Sequence, residues 1–332
     1  MKNNIVLIAD RVPDFSHLSL MNRNLECIPP QYFNDIYSTL SVIGSNVIHY
    51  NSPKEFCKNI SKHKNDIVLS IWSGIGSKYR KALIPSICEA NNLCYVGADP
   101  YVHFLSQDKY LTKRMCSHYG ISSARDMLYC TSKDSSKVFT LRLPLVVKPN
   151  YEGGSNGISS QNLVYDYNEA ITLADKLKKI FNQPILIEEY IEGIEICISI
   201  IGTSKKIDML EASKLIINDT DYFHKNIYSY EPKVKNVKNR SYESATELLS
   251  KDLIDVFLSL FKSLGKVELL RIDGRIDCKG NFKLIELTPD AYLGKRGSTT
   301  FCANNCGIDY EQMLRFLLTN AYSNYKERIQ LF

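Results

Sequence analysis

Leu-Arg-Ile-Asp-Gly-Arg-Ile-Asp-Cys-Lys-Gly-Asn-Phe-Lys-Leu-Ile-Glu-Leu-Thr is the stretch from Leu270 to Thr288. Apolar residues alternate on both sides of its Cys-Lys-Gly-Asn segment, which predicts two short strands joined by a tight turn. Side chains two positions apart share a face of a strand, so Arg271 lies beside Asp273, and Glu286 beside Thr288. If the two faces coincide, one cation, two carboxylates and a hydroxyl meet in a small space.

Such a group of side chains indicates a site for a hard divalent cation. Two carboxylates at close range repel, and one takes up a proton unless a cation separates them. Oxygen ligands with few nitrogens or sulfurs suit Mg²⁺ or Mn²⁺, which often accompanies a nucleotide phosphate. The alternative is an exposed hairpin whose charges are solvated.

Length and composition are those of an ordinary soluble globular protein. The chain has 332 residues, 44% of them hydrophobic and 23% charged, and this length predicts two or three domains. The formal net charge is only +5, and the one dense basic run lies between Lys233 and Arg240. A nucleic-acid surface needs a much stronger basic stripe, so we expect a mobile basic loop there.

The N-terminus and the cysteines predict a cytoplasmic protein without a membrane partner. The apolar run Ile5 to Ala9 is too short for a signal peptide, and no run reaches the length that spans a bilayer. Ten cysteines without export imply reduced thiols in a cytosol. Cys302 and Cys306 resemble half of a metal site, but no second half or neighbouring His completes it.

Residues 4–100 alternate strand and helix signals, which predicts a small open parallel sheet. The strand runs are Ile5 to Ala9, Val47 to Tyr50, Ile67 to Trp72 and Cys94 to Gly97. Helical stretches lie between them at about Gln31 to Ile43 and Lys78 to Asn91. The Gly-containing segment Ser73 to Ser77 follows the third strand, where such folds place ligand loops.

A turn at Gly97 to Pro100 predicts a domain boundary, and Ser106 is the expected N-cap of the next helix. Leu143 to Pro149 then reads as a strand with Lys148 near its end, followed by a loop with three Gly and one Ser, Asn150 to Ile158. Such a loop brings backbone N–H groups onto phosphate oxygens, and the Lys adds a positive charge for the same anion. The alternative is a flexible hairpin tip.

The rest of the chain predicts further helices and strands around one long loop. Helices are expected at Asn168 to Phe181, Ala245 to Leu264 and Ile308 to Tyr322, and strands at Ile185 to Ile191 and Glu195 to Gly202. Residues 219–243 are polar and aromatic without a clear period. A mobile loop of that size is often a lid over an active site.

Four of these pieces together resemble the ATP-grasp ligases. They are Ser-Gln-Asp-Lys-x-x-x-Lys from Ser106, Val-Lys-Pro from Val147 with the Gly-rich loop, Leu-Ile-Glu-Glu-Tyr-Ile-Glu-Gly-Ile-Glu from Leu186, and Arg-Ile-Asp…Leu-Ile-Glu-x-Thr from Arg271. Their order and spacing are most similar to D-alanine–D-alanine ligases. The resemblance extends from about Ser106 to Leu318 and is weak before Gly97.

The resemblance implies an α/β (α+β) ATP-grasp fold that uses ATP with Mg²⁺ or Mn²⁺. It suggests an N-terminal α/β domain at 1–100, a central subdomain with the Gly-rich loop at 101–185, and a catalytic subdomain at 186–332 with a lid near 219–243. ATP lies between the last two. The implied partners are small-molecule carboxylate and amine substrates, and relatives suggest a homodimer; no nucleic acid is expected.

For the nucleotide, the resemblance implies contacts from several segments. The implied residues are Lys109 and Lys148 at the phosphates, Gly153, Gly154 and Ser155 in the loop over them, Glu188, Glu189 and Ile191 at the adenine, and Glu195 at the ribose hydroxyls. In the lid, Lys233 matches the lysine that reaches the γ-phosphate.

For the chemistry, Asp273 and Glu286 match carboxylates that bridge the metal, and Arg271 matches the arginine that stabilises the oxyanion in acyl transfer. The third metal position is usually Asn but is Thr288 here. One metal is then weaker, replaced by water, or held in part by Asp290. The implied reaction activates a carboxylate with ATP, so cations must neutralise charge on the phosphate. A closed lid protects the acyl-phosphate from water. The products are ADP, phosphate and an amide.

The substrate subsites depart from those of D-alanine ligases. The N-terminal acidic motif is missing, and His17 stands near the place of the acid that receives the first α-ammonium; Gly154 and Val234 replace a serine and a tyrosine of that subsite. A site without the acid binds an α-ammonium differently. At the other end the family's serine for the acceptor carboxylate aligns near Gly297. Its neighbours Lys295, Arg296 and Ser298 include two cations, which suit an anionic acceptor or are surface charges.

Three functions therefore stay open. The first is an ATP-dependent carboxylate–amine ligase that joins amino acids or dipeptides in small-molecule biosynthesis. The second is a D-alanine–D-alanine ligase of cell-wall synthesis with a divergent first subsite. The third is a nucleotide-binding module without chemistry, for which only Thr288 argues. We expect the first, because the changed subsites argue against D-alanine as both substrates and a mere binder has no need of Arg271.

Overall fold

The structure, a computed structural model, describes residues 4–11, 28–44, 46–74, 78–224, 227 and 240–330. Within these ranges the strands form three sheets. The predicted site residues His17 and Lys233, and the position Val234, lie outside the described residues. In the described part of the chain, no helix has the length and apolar character needed to cross a membrane.

The first sheet is parallel, as predicted, with the strand order β2-β1-β3-β4. Its strands are β1 (Ile5–Ile8), β2 (Val47–Tyr50), β3 (Ile67–Ser70) and β4 (Cys94–Tyr95). The helices between them are α1 (Pro30–Ile43), α2 (Pro53–Asn59) and α3 (Leu83–Ala90). Helix α3 begins later than predicted because a 3-10 turn, Arg80–Ala82, precedes it. That turn carries Lys81, which lines the cavity described in the next subsection.

The second sheet is antiparallel, with the order β5-β8-β6-β7. Its strands are β5 (Asp126–Tyr129), β6 (Leu145–Pro149), β7 (Leu163–Val164) and β8 (Ile185–Glu189). Helices α4 (Pro100–Gln107) and α5 (Lys109–His118) precede this sheet and pack Val102 and Cys116 against the third sheet, whereas α6 (Ser135–Val138) and α7 (Tyr167–Phe181) pack on this one. Strand β8 extends this sheet four residues beyond the predicted subdomain limit at 185; the limit itself stays a prediction.

The prediction that Ser106 is an N-cap is wrong. Ser106 lies inside α4, and Asp108 caps α5, since its carboxylate accepts a hydrogen bond from the backbone N–H of Leu111 at 3.1 Å. A carboxylate satisfies a free N–H of the first helical turn as well as a hydroxyl does, and its charge also suits the positive end of the helix dipole.

The third sheet has the order β12-β10-β9-β13-β14, and β11 pairs with the N-terminal end of β9. Its strands are β9 (Gly193–Gly202), β10 (Ile207–Ile217), β11 (Tyr222–Phe223), β12 (Arg240–Ser244), β13 (Leu269–Ile276) and β14 (Phe282–Thr288). The helices are α8 (Lys251–Ser263), α9 (Ser298–Asn305) and α10 (Tyr310–Gln330). The stretch 219–243, predicted to be a loop, thus contains β11 and most of β12.

Apolar packing joins the N-terminal sheet to the C-terminal part of the chain. One cluster of buried side chains includes Leu7 of β1 and Ile36 of α1 together with Ile201 of β9 and Leu314 of α10. The antiparallel central sheet has a separate cluster, built from residues of β5, β6, β8 and α7 and their connections. The first and third sheets therefore share one core, whereas the central sheet has its own.

Candidate active site

The hairpin of β13 and β14 brings together the four polar side chains predicted to share a face. Arg271 lies opposite Thr288, and Asp273 lies opposite Glu286. All four residues line a single cavity. The alternative of an exposed hairpin with solvated charges is therefore wrong for this face.

Each carboxylate of this face is paired with a cation of the chain. Arg271 donates from Nε and Nη2 to the two carboxylate oxygens of Asp273, at 2.7 and 2.8 Å, and Thr288 donates from its hydroxyl to Asp273 at 3.2 Å. The Nζ of Lys109 lies 3.3 Å from the carboxylate of Glu286. These cations offset the repulsion between the carboxylates.

The charge of Arg271 is secured by its neighbours. Burial alone would lower the pKa of its guanidinium, but the carboxylate of Asp273 outweighs burial and holds that pKa well above its usual range. The site thus keeps a permanent cation next to the candidate metal ligands.

The cavity has a volume of about 860 Å³ and is lined by residues of all three sheets. That volume is within the range of pockets that hold a cofactor or a drug-sized ligand. The predicted site residues in its lining are Lys109, Lys148, Gly153, Gly154, Ser155, Glu188, Glu189, Ile191, Glu195, Arg271, Asp273, Glu286, Thr288, Arg296, Gly297 and Ser298. Their separate roles in binding and catalysis stay predictions.

The Gly-rich loop after β6 has the left-handed backbone that anion-binding loops use. Gly154, Ser155 and Gly157 have φ angles of 60°, 64° and 74°, and such turns point successive N–H groups to one side. A Cβ at Gly157 would lie 2.8 Å from the ring of Phe181, so no other residue fits there without movement. Ser155 adopts this conformation at a cost in free energy, which is typical of functional loops.

Glu152 anchors the start of this loop. Its carboxylate accepts hydrogen bonds from Asn156 at 3.0 Å and Gln183 at 2.8 Å, and it lies 3.4 Å from Arg80 of the N-terminal part. Lys109 donates to its backbone carbonyl. The loop is therefore held at its entry by three separate segments, with Lys109 placed between it and Glu286.

Glu188 lies between two lysines, one of which the sequence analysis did not assign. Lys148 is 2.5 Å from one carboxylate oxygen and Lys113 contacts the other. Burial would raise the pKa of Glu188, but the two ammonium groups outweigh it and lower that pKa to about 2. Burial also lowers the pKa of Lys113. Lys113 follows Lys109 by one helical turn, and that spacing was the available signal.

Glu189 and Glu195 are each held by an arginine that had no predicted role. Arg142 donates to Glu189 from Nε and Nη2 at 3.1 and 2.9 Å. Arg275 donates to Glu195 with the same two distances. Arg275 shares a face of β13 with Arg271, so the same two-residue spacing that selects Asp273 also selects Arg275.

Where the N-terminal part meets the rest of the chain, the cavity wall contains a polar cluster of three side chains from distant segments. Lys81 lies 2.8 Å from Asp290, and both line the cavity with His103 of α4. Burial lowers the pKa of His103 to about 4, against the opposing effect of the Asp290 carboxylate. Its Nδ1 is buried and has no hydrogen-bond partner in the described part of the chain. No local sequence pattern could have joined these three residues.

At the predicted acceptor end, an aromatic ring fills the space beside Gly297. A Cβ at Gly297 would lie 2.8 Å from the ring of Tyr292, which lines the cavity and lies 4.2 Å from the ring of Tyr32 between centroids. The serine of D-alanine ligases would collide with this ring. Arg296 and Ser298 line the cavity, whereas the exposed Lys295 is not among the described lining residues and lies over Tyr310.

The donor set fits a small divalent cation held together with phosphate. Among the described residues no three His, Cys, Asp or Glu side chains form a metal site, so Cys302 and Cys306 gain no partners there. Asp273, Glu286 and Thr288 supply two carboxylates and one hydroxyl. Mg²⁺ is commonly bound by one or two carboxylates plus substrate phosphates rather than by an all-protein cage, and this set suits that arrangement.

A family model described as "D-ala D-ala ligase C-terminus" matches residues 120–319, more than half of the chain. This chain belongs to the D-Ala–D-Ala ligase family. The D-alanine–D-alanine ligase of Haemophilus influenzae is 26% identical to it over 275 residues, which cover 80% of this chain and 87% of that protein.

Solved structures with this family's fold agree over nearly the whole chain. D-alanine–D-alanine ligase from Bacillus anthracis, complexed with ATP, superposes with a TM-score of 0.72 at 20% identity and 99% coverage of both chains. VanG D-Ala:D-Ser ligase from Enterococcus faecalis gives 0.65 at 16% identity, with 98% of this chain and 100% of that chain covered. The ATP-grasp fold is thereby confirmed.

Membership in the D-Ala–D-Ala ligase family also confirms the predicted enzyme class, an ATP-dependent carbon–nitrogen ligase. The nucleotide-binding module without chemistry is accordingly not favoured. Ligases of this family use ATP with a divalent metal ion and act on small molecules.

Proposed function

We propose that this ligase joins a carboxylic acid to an amine through an acyl-phosphate, as an amino-acid or dipeptide ligase of small-molecule biosynthesis. The observation that carries the proposal is the face of β13 and β14. It places Arg271, Asp273, Glu286 and Thr288 together in one cavity, with Lys109 and the Gly-rich loop beside them.

In the first step, a carboxylate oxygen of the donor attacks the γ-phosphorus of ATP, and the bond to the bridging oxygen breaks, so that ADP leaves. Lys109 and Lys148 offset the negative charge of the phosphates, and backbone N–H groups of the loop at Gly153 to Ser155 bind their oxygens. A divalent ion bound by Asp273 and Glu286 would supply further charge neutralisation.

In the second step, the amine of the acceptor attacks the acyl carbon and loses a proton, and phosphate leaves. The oxyanion of the tetrahedral intermediate lies beside Arg271, whose guanidinium is fixed on β13 by its two hydrogen bonds to Asp273. Preorganised donors of this kind stabilise an oxyanion by about 3 to 4 kcal/mol. Walls that keep water out protect the acyl-phosphate from hydrolysis.

Two features support substrates other than two D-alanines. Tyr292 fills the space of the serine that D-alanine ligases use for the acceptor carboxylate. The cavity also contains the polar cluster of Lys81, His103 and Asp290. VanG, a D-Ala:D-Ser ligase, has the same fold, so this fold accommodates a substrate other than D-alanine. A D-alanine–D-alanine ligase of cell-wall synthesis is the alternative.

A product screen tests the proposal. The purified protein is incubated with ATP, Mg²⁺ and mixtures of amino acids, and ADP release and new amides are measured by mass spectrometry. We expect an amide and an equal amount of ADP with a pair other than D-alanine and D-alanine. Rapid phosphate release with D-alanine alone, at a kcat of about 1 s⁻¹ or more, would favour the alternative instead.

Arg271→Ala separates catalysis from nucleotide binding. We expect it to lower kcat about a hundredfold to a thousandfold while ADP affinity changes little, because Arg271 is assigned to the oxyanion. Arg142→Ala is the control, since it removes an arginine whose side chain is 84% exposed. If Arg271→Ala abolishes ADP binding as well, Arg271 has a structural role.

Location and assembly are further parts of the proposal. We infer a cytoplasmic protein, in keeping with described cysteines that are all free: Cys57, Cys88, Cys94, Cys116, Cys130, Cys197, Cys278, Cys302 and Cys306. We also infer a homodimer, by analogy with relatives. Size-exclusion chromatography with light scattering measures the latter directly.

A further inference from the structure

Arg275 is a buried arginine located where the predicted adenine and ribose contacts meet. It lies on β13 opposite Glu195 of β9, lines the cavity and is 4% exposed. The motifs assigned to the nucleotide do not include it. A guanidinium in such a place requires partners for its donors, because an unpaired buried charge is costly.

The partners of Arg275 fix its orientation. Its Nε and Nη2 both donate to Oε2 of Glu195, at 3.1 and 2.9 Å, and its Nη1 donates to the carbonyl of Ile191 at 2.7 Å. The ring centroids of Tyr190 and Phe223 each lie 5.1 Å from the guanidinium carbon. Charge-assisted hydrogen bonds and cation–π contacts together leave the side chain little freedom.

This arrangement also fixes the carboxylate of Glu195. An ionised carboxylate has two lone pairs on each oxygen, and the two donors from Arg275 both end on Oε2. Both of the described side-chain hydrogen bonds to this carboxylate end on Oε2, and the side chain of Glu195 is 15% exposed and lines the cavity. Arg275 therefore decides which oxygen Glu195 presents to a ligand and in which direction.

We propose that Arg275 is the positioning residue for recognition of the ribose of the nucleotide. It directs Oε1 of Glu195 toward the ribose hydroxyls. It also links that carboxylate to the backbone carbonyl of Ile191, the residue assigned to the adenine. The inference rests on the proposed function, in which Glu195 receives the ribose. Arg275 acts through Glu195 and does not itself touch the nucleotide.

Equilibrium binding of ADP and of 2′,3′-dideoxy-ADP tests this role without turnover. Both are titrated calorimetrically in the presence of Mg²⁺. A hydroxyl bound to a charged acceptor makes ADP tighter by about tenfold or more, so we expect that ratio for the unchanged protein. In Arg275→Met the ratio falls to near one, mainly because ADP binds more weakly. In Arg275→Lys it is intermediate, since one ammonium cannot hold both Oε2 and the Ile191 carbonyl.

Arg142→Met is the matched control. Arg142 donates to a single oxygen of Glu189 from Nε and Nη2 at 3.1 and 2.9 Å, the geometry of the Arg275 pair, but its side chain is 84% exposed. We expect the ADP to dideoxy-ADP ratio to stay unchanged in this variant. If Arg275→Met does not fold, as judged by its thermal unfolding, Arg275→Lys carries the test and must lower the ratio.

The outcomes distinguish this inference from the function on which it rests. Equal loss of ADP and dideoxy-ADP affinity in Arg275→Met, with the ratio retained, would show a structural role and overturn the inference. Equal affinity of the unchanged protein for both nucleotides would overturn it too, while leaving the ligase proposal intact. Failure of the unchanged protein to bind ADP at all would instead overturn the proposed function.

Discussion

His103 makes the stability of this protein depend on pH in a direction that can be worked out from its surroundings. Its ring is buried with 7% exposure, and burial lowers its pKa to about 4 from an ordinary 6.5. Below pH 6.5 the unfolded chain therefore binds a proton that the native protein does not accept until about pH 4. The free energy of unfolding must fall as the pH drops through this window.

The size of the effect follows from the two pKa values. Each unit of difference corresponds to about 1.4 kcal/mol, so at pH 5 the native state loses about 2 kcal/mol relative to pH 7, and about 3 kcal/mol once the pH is below 4. Between pH 7 and 9 His103 contributes no slope, because it is neutral in both states. The neighbouring groups that oppose or assist are Asp290, which favours the charged ring, and Lys81 and Lys266, which disfavour it.

Urea denaturation at pH 7 and pH 5 measures this contribution. His103→Leu removes the titrating ring and keeps an apolar side chain of similar bulk, so its loss of stability between the two pH values should be about 2 kcal/mol smaller than that of the unchanged protein. His118→Gln, at an exposed position, controls for the loss of any histidine. Equal losses in the unchanged protein and His103→Leu would refute the reasoning.

Three further predictions concern single contacts. Lys113→Met leaves Glu188 without one of its two cations and should lower the free energy of unfolding by about 3 to 5 kcal/mol. When Lys113→Met is added to the Glu188→Gln variant, the free energy of unfolding should fall much less. An equal fall in both backgrounds would contradict the pairing. Gly157→Ala forces an L-residue to a φ of 74° against the ring of Phe181, so the melting temperature and ATP affinity should both fall, whereas an exposed Gly280→Ala should lower only the former. Gly297→Ser should reduce turnover, because its side chain collides with the ring of Tyr292. Adding Tyr292→Ala to the Gly297→Ser variant should restore turnover if the ring is the obstacle.

The β13–β14 hairpin was predictable because its signal is local. Alternating apolar residues fix both strands, and the same alternation places Arg271 with Asp273 and Glu286 with Thr288. The Gly-rich loop was equally visible, since its composition reflects a left-handed backbone that few residues adopt. In both cases one short segment contains all the information.

Elements whose inward positions are polar were missed. Strand β10 was not predicted, because Glu211 and Ser213 interrupt its buried face. Glu211 is tolerated there since Ser244 and Asn305 donate to its carboxylate at 2.7 and 2.6 Å. Helix α9 was missed for the same reason, as its buried first turn is Ser-Thr-Thr. Hydrophobic periodicity cannot reveal a buried face whose side chains are polar and held by hydrogen bonds.

Site residues that depend on distant partners were missed as well. Lys113 and Glu188 are 75 positions apart, and Lys81 meets Asp290 only because the N-terminal part folds against the loop after β14. Arg275 is different, because the two-residue spacing of β13 contained the signal. Its role depends on Glu195, however, and that pairing comes from the register between β9 and β13.

The apolar core common to the first and third sheets limits how the enzyme can open to admit its substrates. Separating the residues before about residue 100 from the C-terminal part would expose apolar surface on both. Leu7 on one part and Leu314 on the other would lose their packing neighbours. The first and third sheets must therefore move together as one rigid unit. Among the described parts of the chain, the central sheet has a self-contained interior, so it can move as a unit and carry Lys148 and the Gly-rich loop with it. Movement of the central sheet is thus expected to control the admission of nucleotide and the release of ADP.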